Sequence, residues 1–271
     1  LNDDLEELVL LGDMSDNCQI LVKDHGASLR LQLDRSLPKV MGLKDLGAIH
    51  CSNILEIDFA QILKNYPKLR ELRLWGKPGN ILNFHKLSEL KELVNFSTVD
   101  LFGFTAEDIP KPEDLPRLSM FWMSSLPEEA AKVAKKYYKK QQDKGLNLWI
   151  TKPRKAEWLA QNLDNPFRSW DGQENISTAN AKKAASLYRK TRASVRKLLE
   201  NPNEDTMKHI EDLIREYTQG FNKMDKRNCF IETIEREDIY DALVEILDLL
   251  PEDLGMDKEK FIEIFDELKD F

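Results

Sequence analysis

Leu69-Arg70-Glu71-Leu72-Arg73-Leu74-Trp75 carries leucine at its first, fourth and sixth places. Successive side chains of a strand point to opposite faces, so Leu72 and Leu74 share a buried face and Trp75 falls on the other. The same spacing recurs on both sides. Its fourth place is taken by Leu8, Leu31 and Ile49 before the stretch, and by Val99, Leu118 and Leu146 after it, with gaps of 18 to 28 residues.

Between these strands the apolar period lengthens from two toward that of a helix. Ile54, Ile57, Ile62 and Leu63 predict a helix over 54–65, stopped at Pro67. Phe84, Leu87, Leu90, Leu93 and Val94 predict another over 83–95, with Asn83 as its N-cap. A third is expected to begin at Ser124-Ser125-Leu126-Pro127 and run to about 142, ending before Gly145. A strand and a helix in each unit of 20 to 29 residues is the pattern of a leucine-rich repeat. The fold expected for 1–152 is therefore α/β: a short, irregular leucine-rich-repeat solenoid with a curved parallel sheet and helices on its convex side.

With places four and six pointing inward, places five and seven face the concave side. Place seven reads Trp75, Phe102, Phe121 and Trp149 over consecutive strands, and place five beside it reads Arg73, Asp100, Ser119 and Asn147. Parallel strands lie about 4.8 Å apart, so these aromatic rings would form a stripe. Aromatic side chains flanked by an arginine and polar groups have the composition of a protein-recognition hot spot. The stripe is expected to meet a protein partner, to be covered by the chain's own C-terminal half or, at the sheet's end, to turn inward as a capping core residue.

Composition limits the alternatives. Of 271 residues, 32% are charged and only 11 each are Pro and Gly, which is the make-up of a folded chain. No run of 18 apolar residues and no basic-then-apolar leader is present, so no membrane association is expected; the start at Leu1 instead of Met suggests a trimmed N-terminus. Cys18, Cys51 and Cys229 are isolated thiols that suit a reducing compartment, and His25, His50, His85 and His209 have no metal-ligand spacing. No cofactor, metal or small-molecule substrate is indicated. The net charge of −8 is uneven: −1 over 1–152, +6 over 153–199 and −13 over 200–271. An acidic total argues against general nucleic-acid binding, which needs clustered cations.

From Pro153 onward the period of two disappears, and 153–271 reads as an all-α domain with helices near 154–163, 177–200, 204–221, 235–249 and 257–269. Phe230-Ile-Glu-Thr-Ile234 alternates like a short strand. Glu232, Glu235 and Asp238, with the Trp170–Asp171 loop, are the only candidates for carboxylate chemistry, and they lack a histidine, a nucleophile and a phosphate loop. The basic run Lys182, Lys183, Arg189, Lys190, Arg192, Arg196 and Lys197 lies on one helix, and pairing with the acidic region after it is expected in preference to nucleic acid.

The repeat region resembles irregular bacterial leucine-rich-repeat proteins, and the segments Asn165-Pro-Phe-Arg-Ser-Trp-Asp-Gly172 and Phe230-Ile-Glu-Thr-Ile-Glu-Arg-Glu-Asp238 resemble those in helical tails of bacterial members. The resemblance implies a non-catalytic protein-binding module of a bacterial cytoplasm, with no catalytic residues to carry over. An immunity or antitoxin-like role, with the acidic tail masking a basic toxin, is a narrower form of the same reading. A carboxylate enzyme and a nucleic-acid-associated regulator are the alternatives of other classes.

Overall fold

A computed structural model describes residues 5–10, 18–37, 41–251 and 257–271, without the side chains at 227 and 228. The chain divides into two compact units, Leu1–Leu163 and Asp164–Phe271.

The first unit is built on one sheet of seven strands, all parallel and in chain order. They are β1 (Glu7–Leu10), β2 (Arg30–Asp34), β3 (Ala48–Asp58), β4 (Glu71–Leu82), β5 (Asn95–Phe102), β6 (Met120–Pro127) and β7 (Asn147–Arg154). The helices α1 (Phe59–Asn65), α2 (Glu128–Gln142) and α3 (Ala156–Asn162) belong to the same unit. Leu31, Ile49, Leu72, Phe96 and Phe121 from the strands bury with Phe59 and Ile62 of α1 and Ala134 and Tyr138 of α2 in one core.

Two of the expected helices are shorter than their apolar spacing predicted. Ile54 and Ile57 extend β3, so α1 starts only at Phe59, where the Asp58 carboxylate accepts from the Ala60 N–H at 2.8 Å. The segment 83–95 holds a single 3₁₀ turn, Phe84–Glu89. Its buried residues Phe84, Leu87, Leu90 and Leu93 recur every third place, which is the 3₁₀ period and not that of an α-helix. Asn83 is no cap: its backbone is left-handed and its side chain donates to Asp58 Oδ1 at 2.8 Å.

The strand register supplies the main correction. Leu8, Leu31, Ile49 and Leu72 pair across β1 to β4, as the spacing predicts. Beyond them Leu72 pairs with Phe96, Phe96 with Phe121 and Phe121 with Leu148, not with Val99, Leu118 and Leu146. In β6 and β7 the leucines at 118 and 146 lie just before the strands, packed on the core, and in β5 the cause is a left-handed residue that recurs at the eighth place of nearly every strand: Arg35, Asn53, Asp100, Ser125 and Lys152 all have positive φ. In β4 this place is Gly76, where an added Cβ would sit 2.1 Å from the Asp100 carbonyl oxygen. Such a bulge inserts one residue and reverses the inward-outward phase. The ninth residues Ile54, Leu101 and Leu126 therefore turn into the core. In β5, Leu101 imitates a sixth-place residue, and a reading on strict alternation slips by three.

In the second unit the described residues form helices and turns: a 3₁₀ turn (Pro166–Trp170), then α4 (Thr178–Glu200), α5 (Thr206–Asn228), α6 (Thr233–Leu247) and α7 (Lys258–Leu268). Ser177 and Asp257 cap α4 and α7 through their side-chain oxygens. The expected strand at 230–234 does not form. Phe230 and Ile231 are both buried although adjacent, and Glu232 and Glu235 close a capping box that starts α6. Phe167, Trp170, Tyr188, Tyr217, Phe221 and Phe261 anchor a core separate from that of the sheet unit.

Candidate functional site

The third, fifth and seventh places of the strands point away from the core and form the sheet's other face. The fifth places pair in one continuous row across the sheet: Val9, Gln32, His50, Arg73, Ser97, Trp122 and Trp149. Beside it Glu7, Arg30, Ala48, Glu71, Asn95, Met120 and Asn147 pair in a third-place row. Trp75, Val99, Ser124 and Thr151 pair along the seventh.

Over β1 to β5 this face is a polar lattice centred on Glu71. One carboxylate oxygen lies 2.5 Å from His50 Nε2, 3.2 Å from Arg73 Nε and 3.7 Å from Arg30 Nη2. Asn95 Nδ2 donates to the other at 3.1 Å. Burial raises the pKa of Glu71, but the hydrogen bonds of His50 and Asn95 and the charge of Arg73 outweigh it and hold the carboxyl below its ordinary value. Two further strand-to-strand bonds complete the lattice: Gln32 Nε2 donates to Glu7 at 2.5 Å and Asn53 Nδ2 to Asp34 at 2.8 Å.

Over β4 to β7 the face becomes an aromatic basin of about 320 Å³, lined by Arg73, Trp75, Ser97, Val99, Met120, Trp122, Ser124 and Trp149 among others. Trp75 and Trp149 are each 51% exposed, whereas Ser97 is buried at the floor. Trp122 and Trp149 meet edge to face with centroids 5.5 Å apart, and Trp122 Nε1 donates to Asn147 Oδ1 at 3.0 Å. Val99 adds exposed aliphatic surface between the tryptophans.

The residues expected in the stripe divide accordingly. Trp75, Trp149, Arg73 and Asn147 stand on the open face. Phe121 is wholly buried, stacked between Phe96 at 5.6 Å and Tyr138 at 4.5 Å. Phe102 is 5% exposed and lies past the bulge, 6.3 Å from the Trp158 ring. Asp100 is the bulge residue of β5, and Ser119 precedes β6 with its hydroxyl 3.3 Å from the Val94 carbonyl oxygen. Val99 and Ser97 stand at the seventh and fifth places of β5 where Phe102 and Asp100 were expected, and Ser124 and Trp122 at those of β6 where Phe121 and Ser119 were expected. The signal for Trp122 was the alternation Phe121-Trp122-Met123, which marks two faces without saying which is inner.

The larger cleft of the sheet unit, about 810 Å³, lies past the C-terminal ends of β5 to β7 and is lined by Phe102, Phe104, Glu128, Glu129, Arg154 and Lys155 among others. Arg154 stacks over Trp158 at 3.9 Å and its Nε donates to Ser125 Oγ at 3.3 Å.

In the helical unit the carboxylates have structural partners. Asp238 accepts from the Trp170 indole N–H at 2.7 Å. Glu235 accepts from Asn175 Nδ2 at 3.0 Å and from the Glu232 N–H at 3.0 Å. Glu232 is exposed. Burial, with Asp241 and Glu235 nearby, raises the pKa of Asp238 against the opposing bond from Trp170. These bonds pin the 166–170 turn and the start of α6. On α4, Lys182, Lys183, Arg189, Lys190, Arg196 and Lys197 are exposed, and Lys190 reaches Glu216 of α5 at 3.4 Å.

Among the described residues no group of His, Cys, Asp and Glu side chains is arranged to hold a metal, and no helix is long and apolar enough to cross a membrane. No protein-family model, curated protein or solved structure matches the chain.

Proposed function

We propose that the sheet unit is a leucine-rich-repeat module that binds a protein partner, without catalysis, through the open face of its sheet. The observation that carries this reading is the basin over β4 to β7, where Trp75 and Trp149 are half exposed side by side with Trp122 and Val99. Large apolar side chains gathered on one surface mark interaction sites more often than scattered ones do. Tryptophan and arginine are the residues that dominate binding energy at such sites. The eighth-place bulge recurring from strand to strand supports the repeat assignment, because a backbone irregularity at one place in each unit is a repeated structural device. A reducing compartment such as a bacterial cytoplasm fits the free thiols Cys18, Cys51 and Cys229. Burial pushes the Cys51 thiol up to about 12, so it is a packing residue and not a nucleophile.

Affinity capture from the native source tests the reading, with the full chain compared with Trp75→Ala and Trp149→Ala. Loss of a hot-spot residue costs about 2 kcal/mol or more, a fall in affinity of roughly thirty-fold. One partner should be recovered by the wild type and by a Lys136→Ala control on α2, and lost from both tryptophan variants while their unfolding midpoints stay close to wild type. Equal recovery by all of these proteins would contradict the reading.

A further inference from the structure

The basin also indicates what its occupant carries. Trp75 stands on β4 and Trp122 on β6, with Ser97 and Val99 of β5 between them. Two strand spacings separate the tryptophan-bearing strands by about 10 Å. Trp75 stands in the seventh-place row and Trp122 in the fifth, so the two rings lie diagonally across a basin of about 320 Å³, which has room for one side chain and a neighbouring polar group. Ser97 is small and buried, which leaves the floor deep enough for that side chain to enter.

The polar groups around the slot are mostly donors. Trp75 and Trp149 have no hydrogen-bond acceptor on their indole N–H groups among the described residues, and neither do the terminal guanidinium nitrogens of Arg73. Arg73 Nε lies 3.2 Å from Glu71 but is misaligned for a hydrogen bond, so the two interact only as charges. Among the described residues no acid lines the basin. Glu71 balances the charge of Arg73, and Arg30 also lies 3.8 Å from Glu7, so what this edge offers an occupant is the terminal guanidinium nitrogens of Arg73, which no acceptor among the described residues fills. A quaternary ammonium ion would find aromatic walls here, but it would also meet the like charge of Arg73. A carboxylate answers the fork of Arg73 and an indole N–H together.

Resting on the docking reading above, we propose that the slot receives an apolar side chain flanked by a carboxylate, supplied by a polypeptide partner. The carboxylate is an Asp or Glu next to the inserted residue, or the partner's own C-terminus. The side chain lies between Trp75 and Trp122, while the carboxylate accepts from Arg73 and one indole N–H.

The test uses the full chain labelled with ¹⁵N, following the indole N–H signals of its five tryptophans. It is titrated with N-acetylphenylalanine, N-acetylphenylalaninamide and benzyltrimethylammonium. The acid is expected to move the signals of Trp75, Trp122 and Trp149, leave those of Trp158 and Trp170 in place, and half-saturate at about five-fold lower concentration than the amide. In Arg73→Met the preference of acid over amide should vanish while both probes still bind. Arg73→Lys, which keeps the charge and loses the fork, should retain part of it. Equal binding of acid and amide to the wild type, or tighter binding of the ammonium probe, would overturn the carboxylate assignment and leave the docking reading to the capture experiment. No shift of the three basin signals by any probe would overturn the slot itself.

Discussion

The open face has two halves built on the same ladder of parallel strands, and they differ in whether their side chains satisfy one another. Over β1 to β5 the groups of Glu71, His50, Arg73, Arg30 and Asn95 converge, and Gln32 and Asn53 bond to acids on the neighbouring strand. Over β4 to β7, Trp75, Val99 and Trp149 are exposed, and among the described residues the indole N–H groups of the two tryptophans have no acceptor. A lattice that answers its own charges has little to offer a partner, because any new contact must displace an existing one. The aromatic half breaks no internal hydrogen bond of these two indoles when it is covered, and it gains the burial of its rings once an occupant supplies acceptors for their N–H groups. The two halves meet at Arg73, which is tied to Glu71 on one side and lines the basin on the other.

Mutations can break this comparison, beginning with the face assignment itself. Phe121→Ala removes a wholly buried ring and should destabilise the protein by about 3–5 kcal/mol, whereas Trp122→Ala next to it should cost far less. Urea unfolding of the pair checks this, and equal costs would mean that β6 has been placed in the wrong phase. Glu71→Ala comes next. It leaves His50 and Asn95 without their acceptor and the two arginines without a counter-charge, and hydrogen bonds to a charged group are worth about 1.5–3 kcal/mol each, so a loss of about that size is expected.

The pH dependence sharpens the same point. The folded carboxyl of Glu71 titrates below the ordinary 4.5, so its contribution is present in full above that value and is lost as pH falls through the lower folded value. Unfolding midpoints measured from about pH 5 down to about pH 3 should therefore fall less steeply in Glu71→Gln than in the wild type. Parallel slopes would show that the lattice does not hold Glu71 ionised. The smallest effect belongs to the backbone: Lys152 is left-handed with φ 47°, a conformation that costs a residue with a Cβ about 1–2 kcal/mol, and Lys152→Gly should raise the melting temperature slightly. A lower melting temperature would show that the lysine side chain supports the bulge.

The same contrast separates what the sequence made legible from what it hid. Strict alternation in Leu69–Trp75 set the phase of β2 to β4 and put Trp75 and Arg73 on the open face. It failed at β5 because Asp100 adopts a left-handed backbone and turns Leu101 inward, and at β6 and β7 because Leu118 and Leu146, packed on the core just before those strands, imitate the fourth place. Phe102 was lost from the stripe for the first reason, and Phe121 was lost and Trp122 missed for the second. The lattice around Glu71 was illegible for another: its partners come from β2, β3 and β5, and only the register brings them together. In the helical unit, apolar stripes at helical spacing such as Ile239, Leu243 and Ile246 are set by local geometry, so α4 to α7 were readable to within a few residues at most ends.

The most direct test of the aromatic half follows the five indole N–H signals with a soluble paramagnetic relaxation agent, first in the free protein and then with the captured partner bound. In the free protein, Trp75 and Trp149 should relax strongly and Trp170, which is 2% exposed, hardly at all. With the partner bound, Trp75 and Trp149 should lose that relaxation while Trp170 stays unchanged. If they remain as accessible in the complex as in the free chain, the partner binds elsewhere and the open face is not the docking surface.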